Sequence, residues 1–211
     1  MPINSDRAIK FSKKDLIFSL ITGFYTGFIV WRISNFLDAP LLRDISFVWF
    51  IVSVPVLWIL GVNFSYFLGR WFAFFNQFGK FAAIGFTNAA VDFAILNLLI
   101  FYSGVAMGIL FVVFKGASFI VASVHSYFWN KYWAFEAGGT GVSGREFFNF
   151  FGVAVFAILI NVAAASIVVN IIGPQFGFTN EVWANVGAVI GSATALIASF
   201  IGFKAAVFKK S

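Results

Sequence analysis

Two opposite charges inside apolar segments are the residues of this sequence best suited to chemistry. Asp92 lies in the apolar segment 81–102, and Lys115 lies in the next one, 108–129. If these segments cross a membrane, a charge at the bilayer centre costs roughly 3 kcal/mol on insertion scales, so each charge needs a reason. The two side chains could form a buried ion pair, or the ammonium could exchange its carboxylate for a passing phosphate. The sequence leaves both interpretations open.

Their spacing predicts that the two charges lie at the same depth. Asp92 is twelve residues beyond Lys80, which corresponds to about 18 Å from that end of a helix. Lys115 is seven residues into the following segment, about 10 Å below the opposite surface. In a hydrocarbon core of about 30 Å these depths nearly coincide. Because a short connection makes the two helices antiparallel neighbours, we expect Asp92 and Lys115 to meet.

Three further polar residues could contact a ligand. Asn88 is four residues before Asp92 and therefore shares its helix face, and Asn161 lies in the fifth apolar segment. Amide side chains can bond sugar hydroxyls, but they bond neighbouring helices more commonly. Arg32, near the outer end of the first segment, either extends to the lipid headgroups or receives a phosphate. The candidate substrate-binding set is Asp92, Lys115, Asn88, Asn161 and Arg32.

The composition identifies the solvent that surrounds these residues. The chain is 61% hydrophobic, 21% aromatic and only 10% charged, and Phe alone supplies 32 of the 211 residues. Soluble domains average about 25% charged residues, so lipid must cover most of this surface. The absence of Cys excludes disulfides and thiolate metal sites, and we expect no metal, no cofactor and no nucleic-acid partner.

The hydropathy pattern predicts an all-α, polytopic membrane bundle of six transmembrane helices, arranged as three hairpins. Each apolar segment is long enough to cross the hydrocarbon core of a bilayer. The segments are 16–37, 46–68, 81–102, 108–129, 147–172 and 182–203. We therefore expect a multi-pass protein of the cytoplasmic membrane.

The cations predict the orientation. Eleven lie in the terminal segments and in the connections after the second and fourth spans, whereas the three alternate connections hold only Arg43. The positive-inside rule then places both termini in the cytoplasm. The predicted organisation is a basic N-terminus (1–14), a first hairpin (15–74) and a four-helix domain (78–208). That domain comprises the hairpins 80–135 and 146–208.

A decamer recurs where each hairpin ends. It reads SYFLGRWFAF at 65–74, SYFWNKYWAF at 126–135 and SFIGFKAAVF at 199–208. A cation among aromatic rings at the headgroup level anchors a helix end, although any membrane helix could end in this way. The candidate residues for contact with the lipid headgroup, at the site where the lipid enters the protein, are Arg70, Asn130, Lys131 and Lys204.

The second and third hairpins also match along their length. At a constant offset of 73 residues, Asn88 aligns with Asn161, Asn97 with Asn170, and Gly104 with Gly177. Asn is uncommon in lipid, so a gap-free register of this kind predicts parallel internal repeats related by an axis along the membrane normal. For the first hairpin only the closing decamer matches.

Two stretches of this four-helix domain resemble the GtrA-like family of small membrane proteins. They are KFAAIGFTNAAVDF at 80–93 and the decamer at 126–135. The family motifs map onto Lys80, Phe81, Gly85 and Asn88, and then onto Ser126, Asn130, Lys131, Trp133 and Phe135. The resemblance covers about 78–208, so the first hairpin is an addition to the usual four-helix pattern.

The resemblance implies a function with polyprenyl-phosphate-linked sugars. Family members are associated with moving such lipids from the cytoplasmic to the outer leaflet for cell-surface glycosylation, often beside a glycosyltransferase. Some relatives are thought to recruit that transferase instead. We therefore expect translocation of a polyprenyl-phosphate sugar, with the lipid and a membrane-associated glycosyltransferase as partners.

Two alternatives stay open at this stage. One is a non-catalytic anchor for the glycosyltransferase, which would use the decamers and the linker 136–146 and would tolerate loss of the intramembrane charges. The other is a small-solute or ion transporter, although the intramembrane polar residues are few for a hydrated pathway. No catalytic constellation is present, so we expect no enzyme. Small-residue stripes such as Gly23–Gly27 and Gly187–Gly191 could pack helices within one chain or in a homo-oligomer.

Overall fold

The computed structural model describes residues 10–37, 46–72, 75–134 and 144–206, and within the helices it describes side chains outside 144–151, 153–154 and 196–206. The six helices are α1 (Lys13–Leu37), α2 (Phe50–Leu68), α3 (Phe75–Ser103), α4 (Gly108–Trp129), α5 (Gly144–Ser166) and α6 (Asn180–Ala206). A 3₁₀ turn, Phe47–Trp49, precedes α2. Short π-helical segments, Asn130–Ala134 and Ile167–Ile172, extend α4 and α5.

These helices confirm the predicted all-α membrane bundle. Within the described residues, five helices are long and apolar enough to cross a membrane. The remaining one, α6, is 27 residues long. The largest difference from the predicted spans is the start of α3 at Phe75 rather than Phe81, which places Lys80 inside the helix. The chain is therefore a multi-pass membrane protein.

The first hairpin is held by close backbone packing between α1 and α2. A Cβ atom added to Gly23 would lie 2.5 Å from the Cα of Pro55, and one added to Gly27 would collide with the carbonyl oxygen of Phe50. Such contacts let two helices approach closely in lipid. This small-residue stripe packs helices within one chain.

The second and third hairpins form one four-helix unit. Helices α3 and α4 pair, α5 and α6 pair, and contacts between α4 and α5 and between α3 and α6 join the two hairpins. Their shared core includes Leu96, Ile100 and Phe111 from one hairpin and Ala165, Ala184 and Ala188 from the other. The first hairpin packs against α3, around a second buried cluster that includes Val62, Ile84 and Trp133.

The two repeats share structural features. Gly104 and Gly177 both adopt left-handed backbone angles, with φ of 68° and 73°, in the loops that turn each hairpin. Glycine tolerates this conformation because it has no Cβ atom. Asn97 of α3 bonds Asn185 of α6, and Asn170 bonds the start of α4 at Gly108. Each repeat thus contacts the second helix of the other, as an axis along the bundle requires.

Candidate functional site

The predicted meeting of Asp92 and Lys115 occurs in the structure. The Nζ of Lys115 forms an ion pair with Oδ2 of Asp92, from adjacent antiparallel helices. Lys115 is 0% exposed and Asp92 is 2% exposed. Because both charges have left water, each depends on the other for compensation, and losing either one leaves an unpaired buried charge.

Ser118 completes this cluster, and the sequence analysis missed it. Its hydroxyl donates to Oδ1 of Asp92 at 2.6 Å, from one turn beyond Lys115 on α4. The ring centroids of Phe93 and Phe119 each lie 5.9 Å from the Lys115 ammonium. The carboxylate is therefore bonded on both oxygens, while the cation has one carboxylate and two aromatic neighbours. The i, i+3 spacing of Lys115 and Ser118 was the available signal.

The two candidate asparagines occupy matching positions in the two hairpins. Asn161 is fully buried, and its Nδ2 donates to the hydroxyl of Ser192 on α6 at 3.2 Å. Asn88 is half-buried. The side-chain oxygens of Asn88 and Asn161 are buried without a hydrogen-bond partner among the residues that the structure describes. Asn88 and Asn161 therefore each present an unused buried acceptor at equivalent positions of the two repeats, and such groups are rare because they are costly.

Arg32 lies in the last two turns of α1, and within the described residues no hydrogen bond or ion pair joins it to Asp92 or Lys115. Its side chain is exposed, with the guanidinium 5.7 Å from the ring centroid of the neighbouring Trp31. Arg70 is exposed in the same manner, 5.5 Å from the ring centroid of Phe67. An exposed cation beside an aromatic ring at a helix end fits an anchor at the headgroup level.

The remaining headgroup candidates lie at the ends of α4 and α6. The amide nitrogen of Asn130 donates to the backbone oxygen of Ser126 at 3.0 Å and to its hydroxyl at 3.1 Å, while its side-chain oxygen is buried without a hydrogen-bond partner among the described residues. Lys131 is half-buried in the π-helical segment. Lys204 lies in α6, but its side chain is outside the described part of the chain. The headgroup roles of Asn130 and of the two lysines stay predictions.

A second buried ion pair joins the first hairpin to the four-helix unit. Asp15 of α1 and Lys80 of α3 are 1% and 4% exposed, and Oδ1 of Asp15 lies 3.1 Å from the Lys80 ammonium. Trp133 donates its indole N–H to the same oxygen at 3.0 Å, and Tyr66 donates its hydroxyl to Oδ2 at 3.1 Å. One carboxylate therefore holds groups from α2, α3 and the segment after α4.

Lys80 was expected at the start of the family motif, at one end of the third apolar segment, and its ion pair with Asp15 was not predicted. A signal was present in the stretch Ser12-Lys-Lys-Asp15, the pattern of a capping box. The backbone N–H of Ser12 donates to Asp15 at 2.9 Å, and the backbone N–H of Asp15 donates to the Ser12 hydroxyl at 3.1 Å. This box fixes the start of α1 and aims the carboxylate at the level of Lys80.

Further polar contacts hold the first hairpin in place deeper in the bundle. The hydroxyl of Thr26 donates to that of Thr87 at 3.1 Å, linking α1 to α3. The hydroxyl of Tyr25 lies 2.7 Å from Nε2 of His125 on α4, and Trp129 donates to the same nitrogen at 2.7 Å. The half-buried His125 therefore takes part in a hydrogen bond between α1 and α4.

Comparison with known families now adds an independent observation. Residues 80–208, more than half of the chain, match the GtrA/DPMS transmembrane domain family. The chain belongs to this family. The match begins at Lys80 and covers α5, α6 and both residues of the Asp92–Lys115 pair. The first hairpin lies outside the matched range.

The family gives the function at a coarse level. Membership of the GtrA/DPMS family associates this membrane protein with the translocation of polyprenyl-phosphate sugars. No curated protein and no solved structure matches the chain at a significant level. The site must therefore be interpreted from its own geometry.

Proposed function

We propose that this protein moves a polyprenyl-phosphate-linked sugar across the cytoplasmic membrane, and that Lys115 contacts the phosphate during transit. The observation that carries the proposal is the fully buried Lys115–Asp92 pair inside the family-matched helices. An anionic headgroup crossing the hydrocarbon core needs a compensating cation at that depth. Lys115 is the cation that the described helices place there.

In the unloaded protein Asp92 supplies the negative charge. The arriving phosphate would take the ammonium from Asp92, and the flexible four-carbon stem of lysine allows that movement. Ser118 would stay on the carboxylate through its 2.6 Å hydrogen bond and so limit the cost of releasing it. Asp92 would then displace the phosphate when the lipid leaves. The carboxylate serves here as a stand-in for the headgroup.

The unused acceptors of Asn88 and Asn161 provide the second part of the proposal. Each has a buried side-chain oxygen available to a donor. A sugar hydroxyl is such a donor, and bonding it would recover the free energy lost by leaving these oxygens unpaired. We assign both asparagines to the sugar rather than to the phosphate, because an amide oxygen accepts hydrogen bonds and repels an anion.

The decisive experiment separates the two members of the pair. Proteoliposomes carrying a fluorescent prenyl-phosphate hexose would report its movement between leaflets, and a binding assay in detergent would report its affinity. Lys115→Met should lower translocation about 30-fold or more and weaken binding, because the loaded phosphate loses its cation. Asp92→Asn should keep or increase affinity while slowing release, because an unpaired Lys115 favours the anion.

A matched control is Lys13→Met, which removes an exposed cation at the start of α1. It should translocate at the wild-type rate. Equal losses of affinity in Lys115→Met and Asp92→Asn would show that the pair is purely structural and would contradict the proposal. Unchanged translocation in Lys115→Met would also contradict it, and a glycosyltransferase that still co-purified would then favour the anchoring function.

A further inference from the structure

An apolar groove lies between α2 of the first hairpin and the first half of α3. It has a volume of about 310 Å³ and is lined along one face of α2, from Leu57 to Leu68, and one face of α3, from Phe75 to Phe86. Its outer residues face lipid, with Phe64 60% and Phe86 68% exposed. From Gly79 to Phe86 the groove extends about 10 Å towards the bilayer interior.

The groove is lined by small residues and by aromatic side chains. Gly61, Gly79 and Ala82 form part of the lining, together with Trp58, Phe64 and Phe78. The hydroxyl of Ser65, also in the lining, bonds the backbone oxygen of Phe75 and accepts the N–H of Gly79 at 2.9 Å. That hydroxyl is therefore committed to the protein, and the groove presents an apolar surface to its occupant.

A cation stands at one end of the groove. Arg70 lies in the turn that connects α2 to α3, two residues after the wall residue Leu68, and its side chain is exposed. Its guanidinium lies 5.5 Å from the ring centroid of Phe67, and that ring stacks on the wall residue Phe64 at 6.3 Å. An apolar channel that ends at an accessible guanidinium is complementary to a lipid with a single anionic head. Arg pairs with phosphate through its planar, forked donors.

We propose that this groove binds the first isoprene units of a prenyl phosphate, with the phosphate at Arg70. The inference rests on the proposed function for the choice of lipid. Lipid tails are as apolar as the groove, so a bound chain gains little from the hydrophobic effect and its preference comes from packing. A methyl-branched chain fills a wide groove between rings better than a straight acyl chain does. The first hairpin thereby becomes a substrate-binding element.

Gly61 provides a direct test, because a Cβ atom there would meet no atom within 4 Å in the described part of the chain. Leucine at this position fills the groove without disturbing its walls, and it favours the helix more than glycine does. Gly152 on α5 is also exposed with open space around its Cα, and it lies outside the groove. Gly152→Leu is therefore the matched control for Gly61→Leu.

The probe is a diazirine-bearing farnesyl phosphate, photolysed on the full chain in lipid nanodiscs and mapped by peptide mass spectrometry. We expect labelling at residues 57–65 and 75–86, with efficient competition by farnesyl phosphate. Competition by farnesol or by inorganic phosphate should be weaker, because each lacks one half of the ligand. Gly61→Leu should reduce this labelling about fivefold or more, whereas Gly152→Leu should not. Arg70→Gln should remove the advantage of farnesyl phosphate over farnesol.

The contrary outcomes are equally definite. Labelling spread evenly over the lipid-facing helices, or equal competition by phosphatidylglycerol, would show bulk lipid only and overturn the inference. Wild-type labelling in Gly61→Leu would also overturn it. Translocation is measured separately: groove labelling without any translocation would contradict the proposed function alone. Translocation with an unlabelled groove would contradict this inference alone.

Discussion

The second and third hairpins share one fold but differ in what they bury at equivalent positions. With the offset of 73 residues, Asp92 corresponds to Ala165 and Lys115 to Ala188. Both alanines are 0% exposed and belong to the shared core. The third hairpin therefore packs its helices at this depth without any charge. A hairpin of this type can thus pack at this depth without an ion pair, and this supports the proposed role of Lys115.

The second hairpin is also more polar than the third where it contacts the first hairpin. The second hairpin offers Lys80, Thr87 and His125 to the first hairpin. In the third hairpin the sequence at the corresponding positions has Val153, Ile160 and Ala198. The second hairpin therefore has polar residues where the first hairpin covers it, and the third hairpin has apolar residues at the equivalent positions.

The largest expected effect comes from making the second hairpin resemble the third. Asp92→Ala alone should lower the free energy of unfolding by about 3–5 kcal/mol, because Lys115 is left buried and unpaired. The double variant Asp92→Ala/Lys115→Ala reproduces the alanine pair and should be more stable than Asp92→Ala, while remaining inactive in translocation. Thermal unfolding in detergent measures the first quantity. Additive losses would show that the two residues do not depend on each other.

A smaller effect is expected where the first hairpin meets the second. Asp15→Ala should cost about 3 kcal/mol, because Lys80 loses its carboxylate and Tyr66 and Trp133 lose an acceptor. The chain has no Cys, so two cysteines can be introduced at Thr26 and Thr87 without competing thiols. The rate at which they form a disulfide then reports the contact between the first and second hairpins. Asp15→Ala should slow that reaction. Ser12→Ala, which removes only a cap, should slow it less.

The smallest expected loss of stability concerns the two asparagine contacts that join the second hairpin to the third. Asn97 and Asn185 exchange two buried hydrogen bonds, of 2.7 and 2.8 Å, between α3 and α6. Asn97→Ala should cost about 1 kcal/mol, the scale of interhelical hydrogen bonds in membranes. Asn170, the repeat mate of Asn97, bonds Gly108 at the exposed end of α4 and should matter less. A larger loss of stability in Asn170→Ala than in Asn97→Ala would contradict this ranking.

Much of the fold could be predicted because hydropathy and helical rise depend only on position along the chain. The length of each apolar run and the fixed rise of a helix gave the six helices, their pairing and the common depth of Asp92 and Lys115. The offset of 73 residues predicted that Gly104 and Gly177 are equivalent, and both have positive φ. The site was less predictable. The role of Arg32 stays a prediction, and the hydrogen bond from Ser118 to Asp92 was not predicted.

The sequence by itself determined which segments cross the membrane and which charges share a level, since hydropathy and helical rise act along the chain. The tertiary structure alone decided what each helix face meets. The contact of Asp15 with Lys80 and Trp133, the crosswise asparagines and the groove between α2 and α3 all depend on how the helices rotate about their axes and lie side by side. Those arrangements are set by packing among all six helices, and no local pattern of residues specifies them.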